Sequence, residues 1–134
     1  MLKSHVLLVP IFRPYHTVYG FLADPHNFPA WGVLEPGSVM RHLGDSDYLV
    51  DLPRGRSIMR FTPPNTFGVL DYQVFKEGED GGPVTPVRLH ANEDGCELVL
   101  VWMQRPGVSD ERFASDIEWV HSDLLRVKTY LEAR

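Results

Sequence analysis

The sequence predicts a single α+β domain, in which a curved antiparallel sheet of seven strands wraps around one long C-terminal helix. Its 134 residues match the size of one domain. Residues 109–132 carry apolar side chains at helical spacing, whereas from about residue 38 the apolar spacing changes to two. Short runs of glycine, proline and aspartate separate the strand-like segments, as in a sheet whose strands follow one another through tight turns.

The C-terminal segment 109–132 is predicted to be one amphipathic helix. Ser109 is a suitable N-cap, and Asp110 and Glu111 place negative charge against the positive end of the helix. The apolar side chains recur at steps of four and three, which places them on one face: Phe113, Ile117, Val120, Leu124, Val127 and Leu131. A face this long needs the strand-rich middle of the chain to cover it.

The opening segment predicts a strand followed by two short helices. Residues 4–11 are rich in strand-forming residues, and Pro10 marks a strand end or an edge position. Pro14 opens the first helix, because a proline in the first turn loses no hydrogen bond. Asp24 and Pro25 begin the second helix, and Pro29 is expected to end it.

Six further strands are predicted, at 38–43, 47–52, 56–62, 67–76, 84–92 and 96–104. The connections between them are short, which favours an antiparallel meander. A sheet of this size must curl around the helix. Its interior can hold a cavity or be filled by side chains, and the sequence pattern fits both.

Composition and charge narrow the classes of function. The chain is 43% hydrophobic and 23% charged, as in a globular protein, and its net charge of -5 argues against a nucleic-acid surface. The single cysteine, Cys96, excludes an internal disulfide, so a cytoplasmic location is expected. The apolar run at residues 6–12 is too short to span a bilayer, so no integral membrane contact is expected.

No metal site or cofactor is predicted. The six histidines are scattered, without the close spacing of a zinc site. The glycine-rich run 78–82 lies between strands, where a turn is expected instead of a phosphate-binding loop. The acidic neighbours of Cys96 disfavour a reactive thiolate.

Three polar residues lie within apolar strands and are the candidates for chemistry: Asp71, Arg88 and His90. Arg88 and His90 alternate, so they share one face of a strand. If that face turns inward, the Arg88 guanidinium and the His90 imidazole can hold an oxygenated aromatic molecule or a carboxylate. Asp71 would then form an ion pair with Arg88 or orient the His90 imidazole for acid–base chemistry. If it turns outward, the three residues keep the convex side of the sheet soluble.

The predicted ligand contacts combine these polar residues with large apolar side chains. An inward orientation is expected for most of the apolar set, either as plain core or as cavity wall. Trp119 lies off the helical stripe, where it can cover the flank of the helix or support a homodimer contact. The complete predicted contact set is Trp31, Asp71, Arg88, His90, Trp102, Phe113, Ile117, Val120 and Leu124.

Several ordered segments carry a resemblance to a known superfamily. They are IFRPYHTVYGFLADPHNFPAW at 11–31, GVLDYQV at 68–74, the segment 86–113 and DLLRVKTYLE at 123–132. In this order they resemble the SRPBCC (START-like, helix-grip) superfamily, and the chain looks most similar to its small bacterial, polyketide cyclase/dehydrase-like members. Gly20 inside the first helix and Pro10 in the first strand depart from the usual pattern.

The resemblance implies a helix-grip fold with an apolar cavity between the sheet and the long helix. Members of the superfamily bind lipids, sterols, polyketides, hormones or other aromatic compounds, and some catalyse cyclisation, dehydration or hydrolysis. Three hypotheses follow. In the first, the domain binds a small hydrophobic or aromatic ligand. In the second, it is a polyketide cyclase or dehydratase-like enzyme in which Arg88 binds an enolate or carboxylate and His90 or Asp71 moves protons. In the third, it is an interaction protein with a filled core.

Overall fold

The computed structural model describes residues 1–31, 39–52 and 55–134, without the side chains of Trp31 and Leu52. The predicted α+β fold class is confirmed. A 3₁₀ turn, Pro25–Asn27, precedes the second helix. The described elements are β1 (Ser4–Ile11), α1 (Tyr15–Leu22), α2 (Phe28–Trp31), β2 (Val39–Gly44), β3 (Asp47–Leu52), β4 (Gly55–Phe61), β5 (Tyr72–Lys76), β6 (Val84–Thr85), β7 (Val87–Asn92), β8 (Gly95–Met103) and α3 (Asp110–Glu132).

The sheet consists of two antiparallel ladders, ordered β1-β8-β7 and β2-β3-β4-β5-β6. The segment 68–71, just before β5, connects them. Leu70 N donates to Val87 O at 2.9 Å, and Leu89 N donates to Gly68 O at 2.9 Å. Val69 and Arg88 form an isolated antiparallel β-bridge. The predicted single sheet of seven strands is therefore corrected to ladders of three and five strands, which this short segment joins.

Two strand boundaries differ from the prediction for reasons of backbone chemistry. The strand predicted at 67–76 is regular only from Tyr72 onward, because Gly68 adopts φ +69° and interrupts the extended chain. The strand predicted at 84–92 divides at Pro86, which has no N–H to donate to a ladder. Pro86 still accepts a hydrogen bond from Val101 N at 3.0 Å.

The long helix has the predicted extent. The Ser109 side chain accepts a hydrogen bond from Arg112 N at 3.1 Å, which caps the first turn as expected. Ile117 is half-buried, and the rest of the predicted apolar face is buried: Phe113, Val120, Leu124, Val127 and Leu131. This face packs on β1 and β8.

The short helices follow the prediction at their start and depart from it at their end. Asp24 accepts a hydrogen bond from His26 N at 3.0 Å and caps the 3₁₀ turn. Pro29 lies in the first turn of α2, where its missing N–H costs nothing, so it does not end a helix as predicted.

The core lies between α3, α1 and the ladder β1-β8-β7. Alternate residues of the strands face it, among them Leu7 and Val9 in β1 and Leu98 and Leu100 in β8. The end of α3 is fastened to β1 by hydrogen bonds. Lys128 Nζ donates to Pro10 O at 2.7 Å, and Phe12 N donates to Glu132 Oε2 at 2.9 Å.

Candidate functional site

The candidate site is an apolar pocket inside the domain, between the sheet and α3. Side chains from α1, the joining segment 68–71, four strands and α3 line it, because the sheet curls towards the helix. The cavity measures about 20 Å³, which is close to the space that one water molecule needs. The lining residues are Leu22, Phe61, Leu70, Tyr72, Val87, Leu98, Leu100 and Leu124.

Tyr72 carries the polar atom of this lining, its phenolic hydroxyl. Burial raises the pKa of Tyr72 to about 12, although a hydrogen bond with the Thr85 side chain opposes the shift. The negative charge of Asp123 on α3 adds a smaller contribution in the same direction. The hydroxyl is therefore neutral across the physiological pH range and can donate or accept one hydrogen bond.

An aromatic cluster adjoins the pocket through Phe61. The Phe61 ring contacts the rings of Phe28 and Tyr48 edge-on, with ring centroids 5.9 Å and 5.6 Å apart. His42 and His26 pack against Tyr48 at centroid distances of 4.8 Å and 5.9 Å. Phe61 therefore belongs both to the pocket wall and to a cluster that extends to the residues around α2.

Asp24 and His26 form a hydrogen-bonded pair beside Tyr48. The Asp24 carboxylate lies 3.0 Å from His26 Nδ1 and accepts a hydrogen bond from His26 N, and these contacts lower the pKa of Asp24. Burial raises the pKa of Tyr48, and the charge of Asp24 raises it further. Tyr48 is therefore also a neutral phenol at physiological pH.

Asp71 and Arg88 come together as the sequence suggested, whereas His90 does not join them. Arg88 Nη1 donates to Asp71 Oδ1, which also accepts a hydrogen bond from Val87 N at 2.7 Å. Arg88 is half-buried and His90 is exposed, and both alternate with the buried core residues Val87 and Leu89. The pair therefore lies on the face of β7 directed away from the interior pocket, and none of the three predicted polar residues lines that pocket.

The predicted apolar contacts divide into four groups. Leu124 lines the pocket. Trp102, Ile117 and Val120 pack in the same core, and Phe113 is buried without lining the pocket. The side chain of Trp31 lies outside the described residues. The pocket residues that sequence reasoning missed are Leu22, Phe61, Leu70, Tyr72, Val87, Leu98 and Leu100.

A signal for part of the missed set was present in the sequence. In β7 and β8, Val87, Leu98 and Leu100 alternate with residues of the opposite face, so the strand period alone could have selected them. Phe61 and Leu70 had no such signal. Phe61 lies at the end of β4 and Leu70 lies outside the regular strands, where the period does not say which face a residue takes.

A larger cleft of about 340 Å³ opens to solvent beside the join of the two ladders. Its charged walls are already engaged in contacts. Arg60 donates to both carboxylate oxygens of Asp47, at 2.7 Å and 3.0 Å, and lies 3.3 Å from Asp80. The hydrogen bond from Arg60 lowers the pKa of Asp47. The enclosed apolar pocket is therefore the better candidate for an apolar ligand, since the cleft offers mostly paired charges.

The described residues contain no cluster of three or more His, Cys, Asp or Glu side chains that could hold a metal ion. No helix in the described ranges is long and apolar enough to cross a membrane. Cys96 is buried, and burial raises the pKa of its thiol.

No family model and no curated protein matches this sequence. Solved structures do match its fold. XoxI from Bacillus cereus superposes with a TM-score of 0.71 at 13% identity, covering 96% of this chain and 94% of that chain. CalU16 from Micromonospora echinospora gives 0.62 at 17% identity, covering 97% and 74%. The Aha1 dimer from Colwellia psychrerythraea gives 0.67 at 12% identity, covering 94% and 93%. At these identities the likeness is one of fold: a small α+β domain with a long C-terminal helix against an antiparallel sheet.

Proposed function

We propose that this domain binds a small apolar or aromatic molecule between its sheet and α3. The observation that carries the proposal is the pocket lining, in which aliphatic and aromatic side chains from separate elements converge and Tyr72 supplies the one polar side chain, with a neutral hydroxyl. Ligand pockets combine an apolar wall with a few polar atoms that fix orientation. The resemblance to the SRPBCC superfamily supports the same proposal, and the likeness to CalU16 supports the fold that this resemblance implies.

The pocket must expand to accept a ligand, because about 20 Å³ holds little more than one water molecule. Phe61 is the side chain best placed to move. Its contacts with Phe28 and Tyr48 are edge-on, and each such contact contributes only about 0.5–1.5 kcal/mol beyond simple burial. Rotation of the Phe61 ring would open the pocket towards the aromatic cluster. Binding then selects a minor open conformation, which lowers the apparent affinity.

The small volume also favours a second candidate function, an interaction protein whose core is filled by its own side chains. The enzyme hypothesis has less support, because the described residues bring no acid–base pair into the pocket. Asp71 and Arg88 face away from it, and His90 is exposed.

A pair of matched variants tests the proposed pocket. Leu70→Phe fills space at the pocket wall, whereas Val74→Phe places the same ring at an exposed position of β5. The probe is anilinonaphthalene sulfonate, whose fluorescence rises in apolar surroundings. We expect Leu70→Phe to weaken probe binding by about tenfold or more and Val74→Phe to leave it within about twofold. Circular dichroism and a thermal melt verify that each variant is folded.

Equal binding by the two folded variants would contradict the pocket assignment. Nuclear magnetic resonance with naphthalene distinguishes the two candidate functions further. Shifts at the amides of Leu98, Leu100 and Leu124 are expected if the pocket opens, and an unchanged spectrum at saturating naphthalene favours the filled-core alternative.

A further inference from the structure

The structure points to a second feature, which is independent of ligand binding: the free edge of β1. This strand is at the end of its ladder and pairs only with β8 among the described strands. Its even-numbered residues direct their N–H and C=O groups away from β8. The contacts Lys128–Pro10 O and Phe12 N–Glu132 are made on that outer side. Conversely, the odd-numbered Lys3 accepts a hydrogen bond from Gln104 N on the β8 side.

The outer edge is occupied at one end and open at the other. At Pro10 and Phe12 the side chains of Lys128 and Glu132 complete its hydrogen bonds, and Pro10 contributes no N–H. Farther towards the start of β1, no hydrogen bond between described residues reaches the outward backbone groups of Ser4, Val6 and Leu8. A groove of about 310 Å³ lies beside this stretch, with Ile117, Glu118 and His121 of α3 on its far side.

The open stretch also lacks the usual protection of an edge strand. Native edges are commonly guarded by lysine or other charged side chains, by proline or by a bulge. Residues 4–9, SHVLLV, contain no lysine, arginine, aspartate or glutamate. Instead Val6 and Leu8 expose 59% and 52% of their surface. Outward backbone groups without a hydrogen bond from the described residues and exposed apolar side chains therefore occur together on Val6 and Leu8.

We propose that this edge pairs with the same edge of a second copy of the chain. The outward residues 4, 6 and 8 are spaced symmetrically about Val6. In an antiparallel pair centred there, Val6 lies opposite the partner's Val6, and Ser4 lies opposite the partner's Leu8. Every outward N–H then meets an outward C=O, and no like charges face each other. This register is self-complementary, which is the condition for a twofold interface.

Pro10, at the end of β1, disfavours one shifted register. Sliding the pairing by two residues towards that end would place Ser4 opposite the partner's Pro10, which has no N–H to donate and whose carbonyl already accepts from Lys128. The twofold axis is perpendicular to the sheet, so both copies of α3 lie on one side of it. Glu118 and His121, which face the groove in each copy, then face across the joined groove.

Val6→Pro tests the interface with little effect on the monomer. The N–H that it removes points away from β8, and Pro10 already occupies an equivalent position in the same strand. In the proposed dimer this substitution deletes both hydrogen bonds of the central pair. Val6→Thr is the matched control, because threonine keeps the N–H and the β-branched shape. Circular dichroism and thermal melting compare the folds of the three proteins.

The first readout is the mass in solution by analytical ultracentrifugation, from about 10 µM to about 1 mM protein. We expect a concentration-dependent dimer for the unmodified chain and for Val6→Thr, and a monomer for Val6→Pro. The second readout is amide hydrogen exchange. In the dimer the amides of Val6 and Leu8 are protected in proportion to the dimer fraction, with Phe12, which is bonded to Glu132, as the internal reference.

Two results would overturn the proposal. One is a monomeric unmodified chain over the whole concentration range. The other is a dimer that persists in folded Val6→Pro while the Val6 and Leu8 amides of the unmodified chain exchange freely, since this would place the interface elsewhere.

Discussion

Asp71 ties the joining segment to β7 through one carboxylate oxygen, which accepts hydrogen bonds from Arg88 Nη1 and from Val87 N. This contact lies on the outer face of the sheet, opposite the pocket. It reinforces the backbone bonds that Leu70 and Leu89 make between the same two segments. The ion pair lies where the two ladders meet, so we expect it to stabilise the join between them.

Asp71→Ala is predicted to destabilise the fold. It leaves Val87 N and the Arg88 guanidinium without their shared acceptor, and both are at least partly shielded from water. The expected loss is about 1–3 kcal/mol of unfolding free energy, measured by urea denaturation. Asp71→Asn should lose less, because its side-chain oxygen can still accept the bond from Val87 N.

The control for this prediction is Asp116→Ala. Asp116 pairs with Arg112 at 2.9 Å on the surface of α3, where Arg112 is well exposed. Exposed pairs of this kind contribute about 0.5 kcal/mol or less. If Asp71→Ala cost no more than Asp116→Ala, the carboxylate would not be a structural link between the ladders.

The sequence was informative where one period runs through a whole element. The helical stripe of α3 predicted core residues that the structure confirms, including Leu124 and Val127. The alternation in β7 placed Arg88 and His90 on one shared face. The same alternation in β7 left open which side Arg88 and His90 occupy. Burial of Val87 and Leu89 decides it, and that burial depends on where α1 and α3 lie.

The join between the ladders could not be predicted, because it depends on contacts between segments distant in the chain. Residues 68–71 are not a regular strand, and their partner β7 follows only after the turn at 78–83 and β6. The pocket volume could not be predicted from the sequence for a similar reason. It depends on the rotamer of Phe61, whose ring contacts Phe28 and Tyr48.

A second prediction concerns Gly68, in the segment 68–71 that joins the two ladders. Its φ of +69° is a conformation that residues with a side chain rarely adopt, and a Cβ atom there would overlap the carbonyl oxygen of Leu89. That oxygen belongs to backbone and cannot rotate away. Gly68→Ala should therefore destabilise the fold by about 2–3 kcal/mol, seen as a lower urea midpoint.

Gly20→Ala is the opposite case and the control. Gly20 lies within α1, is exposed, and has no atom within 4 Å of the position that a Cβ would take. Alanine there should stabilise the protein by about 0.5–1 kcal/mol, because it restricts the unfolded chain without a clash. Substitutions of equal sign and size at the two glycines would show that Gly68 is not confined by β7.

The last prediction concerns Tyr72 and the pH dependence of the unfolding free energy. Burial raises its pKa to about 12 in the folded domain, whereas an unfolded tyrosine ionises near pH 10. Below about pH 10 both states keep the phenolic proton, so stability does not change. Between about pH 10 and pH 12 the unfolded chain releases the proton first, and unfolding is favoured by up to about 1.4 kcal/mol per pH unit.

Tyr72→Phe should therefore lose this part of the alkaline destabilisation. Urea denaturation at a series of alkaline pH values is expected to give a shallower fall in unfolding free energy for the variant than for the unmodified chain. Tyrosinate absorbance of the folded protein should lose its most alkaline component in the same variant. Identical slopes in the two proteins would mean that the Tyr72 hydroxyl is open to water, and then the pocket would not be the enclosed apolar site on which the proposed ligand depends.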